Sequence, residues 1–363
     1  MEIGELLKLM VDKRASDMHL RVPSPPVLRI DGVLVPQEDL SPLAAKDIEM
    51  VFEHVTTPEQ RSVFLREKEL DFAYSVPGLA RFRVSVMRQR GTISLAFRLV
   101  PFDISSIDDL GLPQILKELV IKPRGLILVT GPAGSGKSTT MAAMIHHLNQ
   151  NEKRNVITIE DPIEYLHSNN KCIIAQRDIG DDTKSFDIAL KHALRHDPDV
   201  IVIGEMRDTG TISTAIRAAE TGHLVLGILY AADAAQAIDN IIGIFQPDQQ
   251  RQIRIQLSKV IEAVISQTLL PRLNGGRAAA FEIMIADAEV KKLIREEKPS
   301  KLPETMWVSG DGSLQSMNRA LADLVKSGII SPEEAIMNSN NPEQLQETLQ
   351  YKQSKNKKAR AKR

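Results

Sequence analysis

The chain has 363 residues, 42% of them apolar and 26% charged, with a formal net charge of −1. This is a globular composition in a chain too long for one core. No apolar run approaches the ~18 residues of a membrane-spanning helix, and the acidic, amphipathic start Met1-Glu-Ile-Gly-Glu-Leu-Leu does not have the form of a signal peptide. Residues 352–363 carry seven basic side chains and no acid, which leaves −8 for the rest. An acidic body with 4% aromatics argues against a nucleic-acid groove, which needs phosphate-neutralising charge and stacking surfaces. The single cysteine, Cys172, excludes an internal disulfide and a zinc site and suits a reducing compartment.

Ile3, Leu6, Leu7 and Met10 recur at helical spacing and predict an amphipathic helix over 1–13. Strands follow at Ser16–Leu20 and Val27–Ile30, with a turn at Asp31-Gly32, and then a helix over Ser41–Val55 with Ser41 as its cap. A hairpin runs from Glu69–Ser75 through Pro77-Gly78 to Ala80–Met87, and Ile93–Leu99 adds a strand after a turn at 89–91. Residues 1–100 therefore read as an α+β domain, and 101–118 as a linker holding a short helix, Gln114–Val120.

From 119 to 285 apolar strands alternate with helices, the pattern of an α/β fold on a mostly parallel sheet. The expected strands are Leu126–Thr130, Asn155–Glu160, Lys171–Gln176, Asp199–Gly204, Leu224–Tyr230, Thr268–Leu273 and Arg277–Met284. The expected helices are Lys137–Asn149, Ser185–His196, Thr209–Glu220, Ala234–Phe245 and Asp248–Ser266. A C-terminal helical region, 286–351, carries segments near 287–296, 313–326, 332–337 and 342–350, and the basic tail 352–363 reads as a disordered, solvated end.

Chemistry concentrates between the first strand and helix of the α/β part. Gly131, Pro132, Ala133, Gly134, Ser135, Gly136, Lys137, Ser138 and Thr139 fit the phosphate-loop pattern G-x-x-x-x-G-K-[ST]. The glycines turn backbone N–H groups inward, and the helix behind them points its positive end at the same anion. Lys137 would reach the β- and γ-phosphates of ATP, and the Ser138 hydroxyl would sit on Mg²⁺. Two further strands end in carboxylates. Asp199–Glu205 has the form of a Walker B element, with Glu205 toward the metal, and Asn155–Glu160 leads into an acidic cluster able to polarise an attacking water.

The chain resembles the secretion-type ATPases of the type IV pilus and type II secretion group, and among them the PilT-type twitching-motility (pilus retraction) ATPases. The resemblance rests on Ala15–Leu20, Pro25–Gly32, Arg81–Val84, Leu110–Pro113, Lys122–Leu126 and the phosphate loop. It continues with Ile159–Glu164, Gly204–Asp208, Ala219–Val225, Val264–Leu270, Glu282–Met284, Leu293–Glu296 and Ala320–Val325. It implies a PAS-like first domain, a RecA-like ATPase domain and a homohexameric cytoplasmic ring, with pilus retraction as the function. The ring would act at the inner face of the cytoplasmic membrane on a platform protein, alongside a paralogous ATPase. By matched position, Glu160 becomes the carboxylate that orients water, and Glu205 and Ser138 the metal side. His223 becomes a site histidine, and Arg81, Arg83 and Arg98 become charge donors to the phosphates.

One departure stands out. Where the family usually continues Gly-Thr-Leu-His-Thr, this chain reads Gly227-Ile-Leu-Tyr230-Ala231, so a tyrosine replaces the second histidine. The alternatives are a catalytically weak accessory paralogue, which Tyr230 keeps open, and a filament-assembly or secretion ATPase, against which the lone cysteine counts. His19, His167 and His192 stand at no metal-ligand spacing and read as structural.

Overall fold

The computed structural model describes residues 2–30, 32–100, 104–298, 301–302 and 314–349. The basic tail and the start of the expected linker lie outside them. The chain divides into two compact units, one of 1–103 with 162–167 and 178–184, the other of 104–161, 168–177 and 185–363. That two short segments from the α/β half belong to the first unit was not legible in the sequence.

The first unit opens with α1 (Ile3–Asp12), which buries Ile3, Leu6, Leu7 and Met10 on the face that their spacing defines. Its sheet joins β1 (Asp17–Leu20), β2 (Val27–Ile30), β3 (Val33–Pro36), β4 (Glu69–Val76), β5 (Ala80–Gln89) and β6 (Thr92–Val100) in the order β3-β2-β1-β6-β5-β4. Among the described residues its strands pair antiparallel. Alternation along β5 sends Phe82, Val84 and Val86 into the core and leaves Arg81 and Arg83 on the other face.

Two helices cover that core. The first, α2 (Ala45–Val55), starts four residues later than expected. Ser41 is not its cap; instead Asp47 reaches back to accept from the Ala44 N–H at 2.8 Å. The second, α3 (Pro58–Glu67), was not anticipated although its signal is present. Thr57 Oγ1 accepts from Gln60 N–H at 3.3 Å while Gln60 Oε1 accepts from Thr57 N–H at 2.9 Å, a reciprocal cap followed by proline in the first turn.

The second unit is built on an eight-stranded sheet. Its strands are β7 (Gly125–Thr130), β8 (Asn155–Glu160), β9 (Ile173–Asp178), β10 (Val200–Ile203), β11 (Leu224–Leu229), β12 (Ile261–Pro271), β13 (Arg277–Ile285) and β14 (Leu314–Gln315), in the order β14-β13-β12-β7-β11-β10-β8-β9. The central pairs are parallel, whereas β13 and β14 run antiparallel at one edge. β7 and β11 are buried at every position, which explains their unbroken apolar runs. The helices are α4 (Ile115–Val120), α5 (Lys137–Asn151), α6 (Phe186–Ala193), α7 (Thr209–Glu220), α8 (Ala234–Gly243) and α9 (Pro247–Val260).

One expectation is corrected here. The sequence suggested a helix over Asp248–Ser266 and a strand from Thr268, but α9 ends at Val260 and the strand begins at Ile261. The run from Ile261 to Ile265 lies between β7 and β13. A strand covered on both faces loses the period-2 signal and reads as a buried helix.

The C-terminal region adds α10 (Ala288–Arg295), α11 (Met317–Lys326), α12 (Pro332–Met337) and a helix over 342–349. Leu321, Ala322, Ile330, Ala335 and Leu345 form its own core with Leu270, Ala278 and Ala280 of β12 and β13. Glu282 on β13 joins the two parts. Its Oε1 accepts from the Ala234 N–H at 2.8 Å, at the start of α8, and its carboxyl also accepts from the Met317 N–H, at the start of α11.

Burial raises the Glu282 pKa to about 7, against the two backbone donors that favour its charged form. An acid whose pKa is higher folded than unfolded loses folded-state stability as it ionises. Stability should therefore fall between pH 4.5 and 7 by on the order of 2–4 kcal/mol. Glu282→Gln should flatten that slope in urea titrations across the window; an unchanged slope would place the titration elsewhere.

Candidate active site

β7 delivers the phosphate loop at the carboxyl end of the sheet, between β11 and β12. The loop closes tightly. A Cβ on Gly131 would lie 2.2 Å from the Gln267 carbonyl oxygen, and one on Gly136 would lie 2.8 Å from Gln267 Nε2. Both residues also have positive φ, +145° and +89°. Gly136 is the N-cap of α5, and no side chain of that residue caps the 15-residue helix, whose positive dipole end therefore faces the loop.

Gln267 fixes the loop from behind. Its Nε2 donates to the Ser135 carbonyl at 2.7 Å, and its Oε1 accepts from Thr140 Oγ1 at 2.7 Å. One residue earlier, Ser266 Oγ accepts from Thr130 Oγ1 at 2.9 Å. All four side chains are buried. Ser135 Oγ is buried and, among the described residues, lacks a hydrogen-bond partner. An orphaned hydroxyl in a cradle that only glycine permits fits an oxygen-rich anion such as phosphate.

The Lys137 ammonium donates to Gly131 O at 3.0 Å and Pro132 O at 2.7 Å. It also lies 4.3 Å from the centroid of the Tyr230 ring. Glu160, at the end of β8, accepts at Oε1 from Thr158 Oγ1 at 2.6 Å and Gln176 Nε2 at 3.0 Å. Glu205 follows β10, mostly buried, and its carboxylate makes a bidentate ion pair with the Arg207 guanidinium. The carboxylate pushes the Arg207 pKa further up. A serine hydroxyl and a carboxylate, Ser138 and Glu205, are hard oxygen donors of the kind Mg²⁺ takes.

His223 does not join this set. It precedes β11, and the register pairs Leu224 with Gly125 while Leu229 pairs with Thr130. His223 thus sits at the amino end of the strands, roughly 20 Å from the loop at ~3.3 Å per residue. Its Nδ1 lies 3.0 Å from the Ala218 carbonyl, closing the turn after α7. The expected site histidine is a turn residue, and the position at the loop end of β11 belongs to Tyr230.

The three arginines belong to the first unit. Arg81 donates to Asp178 at 3.0 Å, where burial raises the aspartate's pKa against the arginine's pull. Arg98 donates to Asp17 at 2.8 Å. Burial disfavours the Asp17 charge, but the Arg98 and Ser16 hydrogen bonds outweigh it and lower the pKa. Arg83 stands directly opposite Arg98 across β5 and β6. Both line a cleft of about 240 Å³ with Ile163, Glu164 and Tyr165. Like charges opposed on a sheet repel, and the Asp17 carboxylate bonded to Arg98 offsets part of that repulsion.

Gln267, Thr140, Thr158, Gln176 and Arg207 were given no role from sequence, although Arg207 and Gln267 lie within the resembling stretches Gly204–Asp208 and Val264–Leu270. For Thr140, Thr158 and Gln267 the signal is polarity at a buried place, which needs partners. Cys172 is buried and burial raises its thiol pKa, in keeping with an inert packing role.

Gln267→Ala removes both amide bonds and should cost on the order of 1–3 kcal/mol of stability while weakening ADP binding. Thr140→Val, which removes one bond, should cost less on both counts. Urea denaturation and ADP titration check this; wild-type ADP affinity in Gln267→Ala would mean that the loop keeps its shape without the amide.

Residues 5–337 match the family described as Type II/IV secretion system protein. The chain is 42% identical over 343 residues to the type IV pilus retraction ATPase PilT of Pseudomonas aeruginosa, covering 94% of this chain and 99% of that one. It is 38% identical over 346 residues to the type IV pilus ATPase PilU of the same organism, covering 95% and 90%. A crystal structure of the pilus retraction motor PilT with bound ADP superposes with a TM-score of 0.88 at 43% identity, covering 95% of this chain and 99% of that one. The chain belongs to the type II/IV secretion system protein family.

Proposed function

We propose that this protein is an ATP-hydrolysing motor that drives retraction of a type IV pilus. The carrying observation is the phosphate loop locked by Gln267, with Glu160 and Glu205 ending neighbouring strands of the same sheet. Similarity to PilT over 99% of that relative's length supports the choice of filament retraction.

In this reading, ATP supplies the phosphoanhydride bond and Mg²⁺ neutralises charge on its phosphates. The loop amides and Lys137 bind the phosphates, and Ser135 Oγ gains the partner it lacks. Ser138 and Glu205 would hold the metal, with Glu205 giving up its Arg207 partner. Glu160, oriented by Thr158 and Gln176, takes a proton from the attacking water. Arg81, Arg83 and Arg98 are the candidate donors of positive charge to the phosphates. The working form is a homohexamer at the inner face of the cytoplasmic membrane, turning a platform protein and cooperating with a paralogous ATPase. Among the described residues no helix is long and apolar enough to cross a membrane; in this reading those partners provide the membrane association.

An accessory ATPase of slow turnover is the second reading, favoured by Tyr230 against Lys137.

Steady-state phosphate release separates the readings. Wild-type turnover should fall at least about a hundredfold in Lys137→Ala and in Glu160→Gln, with ADP binding kept in the latter. Undiminished turnover in Lys137→Ala would remove the site assignment. Retained binding with negligible wild-type turnover would select the accessory reading.

A further inference from the structure

The Lys137 ammonium has three N–H groups. Two carbonyl oxygens, of Gly131 and Pro132, accept from it at 3.0 and 2.7 Å, and an aromatic face lies 4.3 Å away. A phosphate oxygen arriving at the loop has to take the place of one of these partners. The carbonyls belong to the loop backbone and are present whatever the side chains. The ring is a contribution of Tyr230 alone.

Its placement is built in. β11 ends at Leu229. Asn240 Nδ2 on α8 donates to the Tyr230 carbonyl at 3.2 Å, and the next residue, Ala231, is buried. The backbone on both sides of Tyr230 is thereby held, while its side chain is 49% exposed and packed too lightly to be a core residue. An aromatic quadrupole attracts an ammonium most when the charge is desolvated, and Lys137 is only 6% exposed.

We propose that the Tyr230 ring competes with a nucleotide's outer phosphates for the Lys137 ammonium and so lowers the protein's affinity for nucleoside di- and triphosphates. This deepens the nucleotide reading and rests on it. The ring, not the hydroxyl, does the competing. Because Lys137 reaches the β- and γ-phosphates and not the α-phosphate, the effect falls on ADP and ATP and spares AMP.

Calorimetric titration of the purified full chain with ADP and with AMP tests this. Tyr230→Leu should tighten ADP by about two- to thirtyfold, the range of a partly buried cation–π contact, and leave AMP unmoved. Tyr230→Phe, which keeps the ring, should follow wild type within about twofold. If Tyr230→Leu does not melt cooperatively, Tyr230→Ser carries the same expectation. An unchanged or weaker ADP affinity without the ring overturns the inference, as does Tyr230→Phe tightening as much as Tyr230→Leu. A wild-type protein that binds no ADP overturns the nucleotide reading itself and this inference with it.

Discussion

The second unit depends on one buried amide. Gln267 stands in β12, next to the strand that delivers the phosphate loop, and its two ends hold the loop at Ser135 and the first turn of α5 at Thr140. A buried amide with one end unpaired is costly, so the loop cannot open without forfeiting both bonds. The glycines complete the lock from the other side, since a Cβ at Gly131 or Gly136 would collide with the same residue. The protein's own groups fix the cradle, so little binding energy goes into ordering it.

Charge around the loop is held in the same prepared state. Lys137 rests on two carbonyls and a ring, Glu205 on Arg207, and Glu160 on Thr158 and Gln176. Each group is neutralised or oriented by a neighbour on the same sheet end. Under the proposed function, nucleotide binding then becomes an exchange of partners. The protein can set affinity by the strength of the contact given up, which makes the identity of residue 230 a lever on the motor.

Much of this was legible in the sequence, for physical reasons. The phosphate loop announces itself because phosphate imposes glycine and lysine at fixed spacing, and β7, β8 and β10 because a strand covered on both faces must be apolar throughout. The same covering hid the start of β12, where Ile261–Ile265 carries no alternation to tell strand from helix. Gln267 was hidden because a polar residue in a strand states no partner until the fold supplies Ser135 and Thr140. His223 misled because matched position places a residue on a strand without saying which end of it faces the ligand. The register with β7 decides that, and decides it for Tyr230.

The central claim is that this loop, locked by Gln267, is where nucleotide binds. Amide hydrogen exchange with and without saturating ADP tests it most directly. The account predicts strong added protection over residues 131–140 and at 266–267, with none at the turn around His223. Protection absent from the loop, or concentrated at that turn, would contradict it.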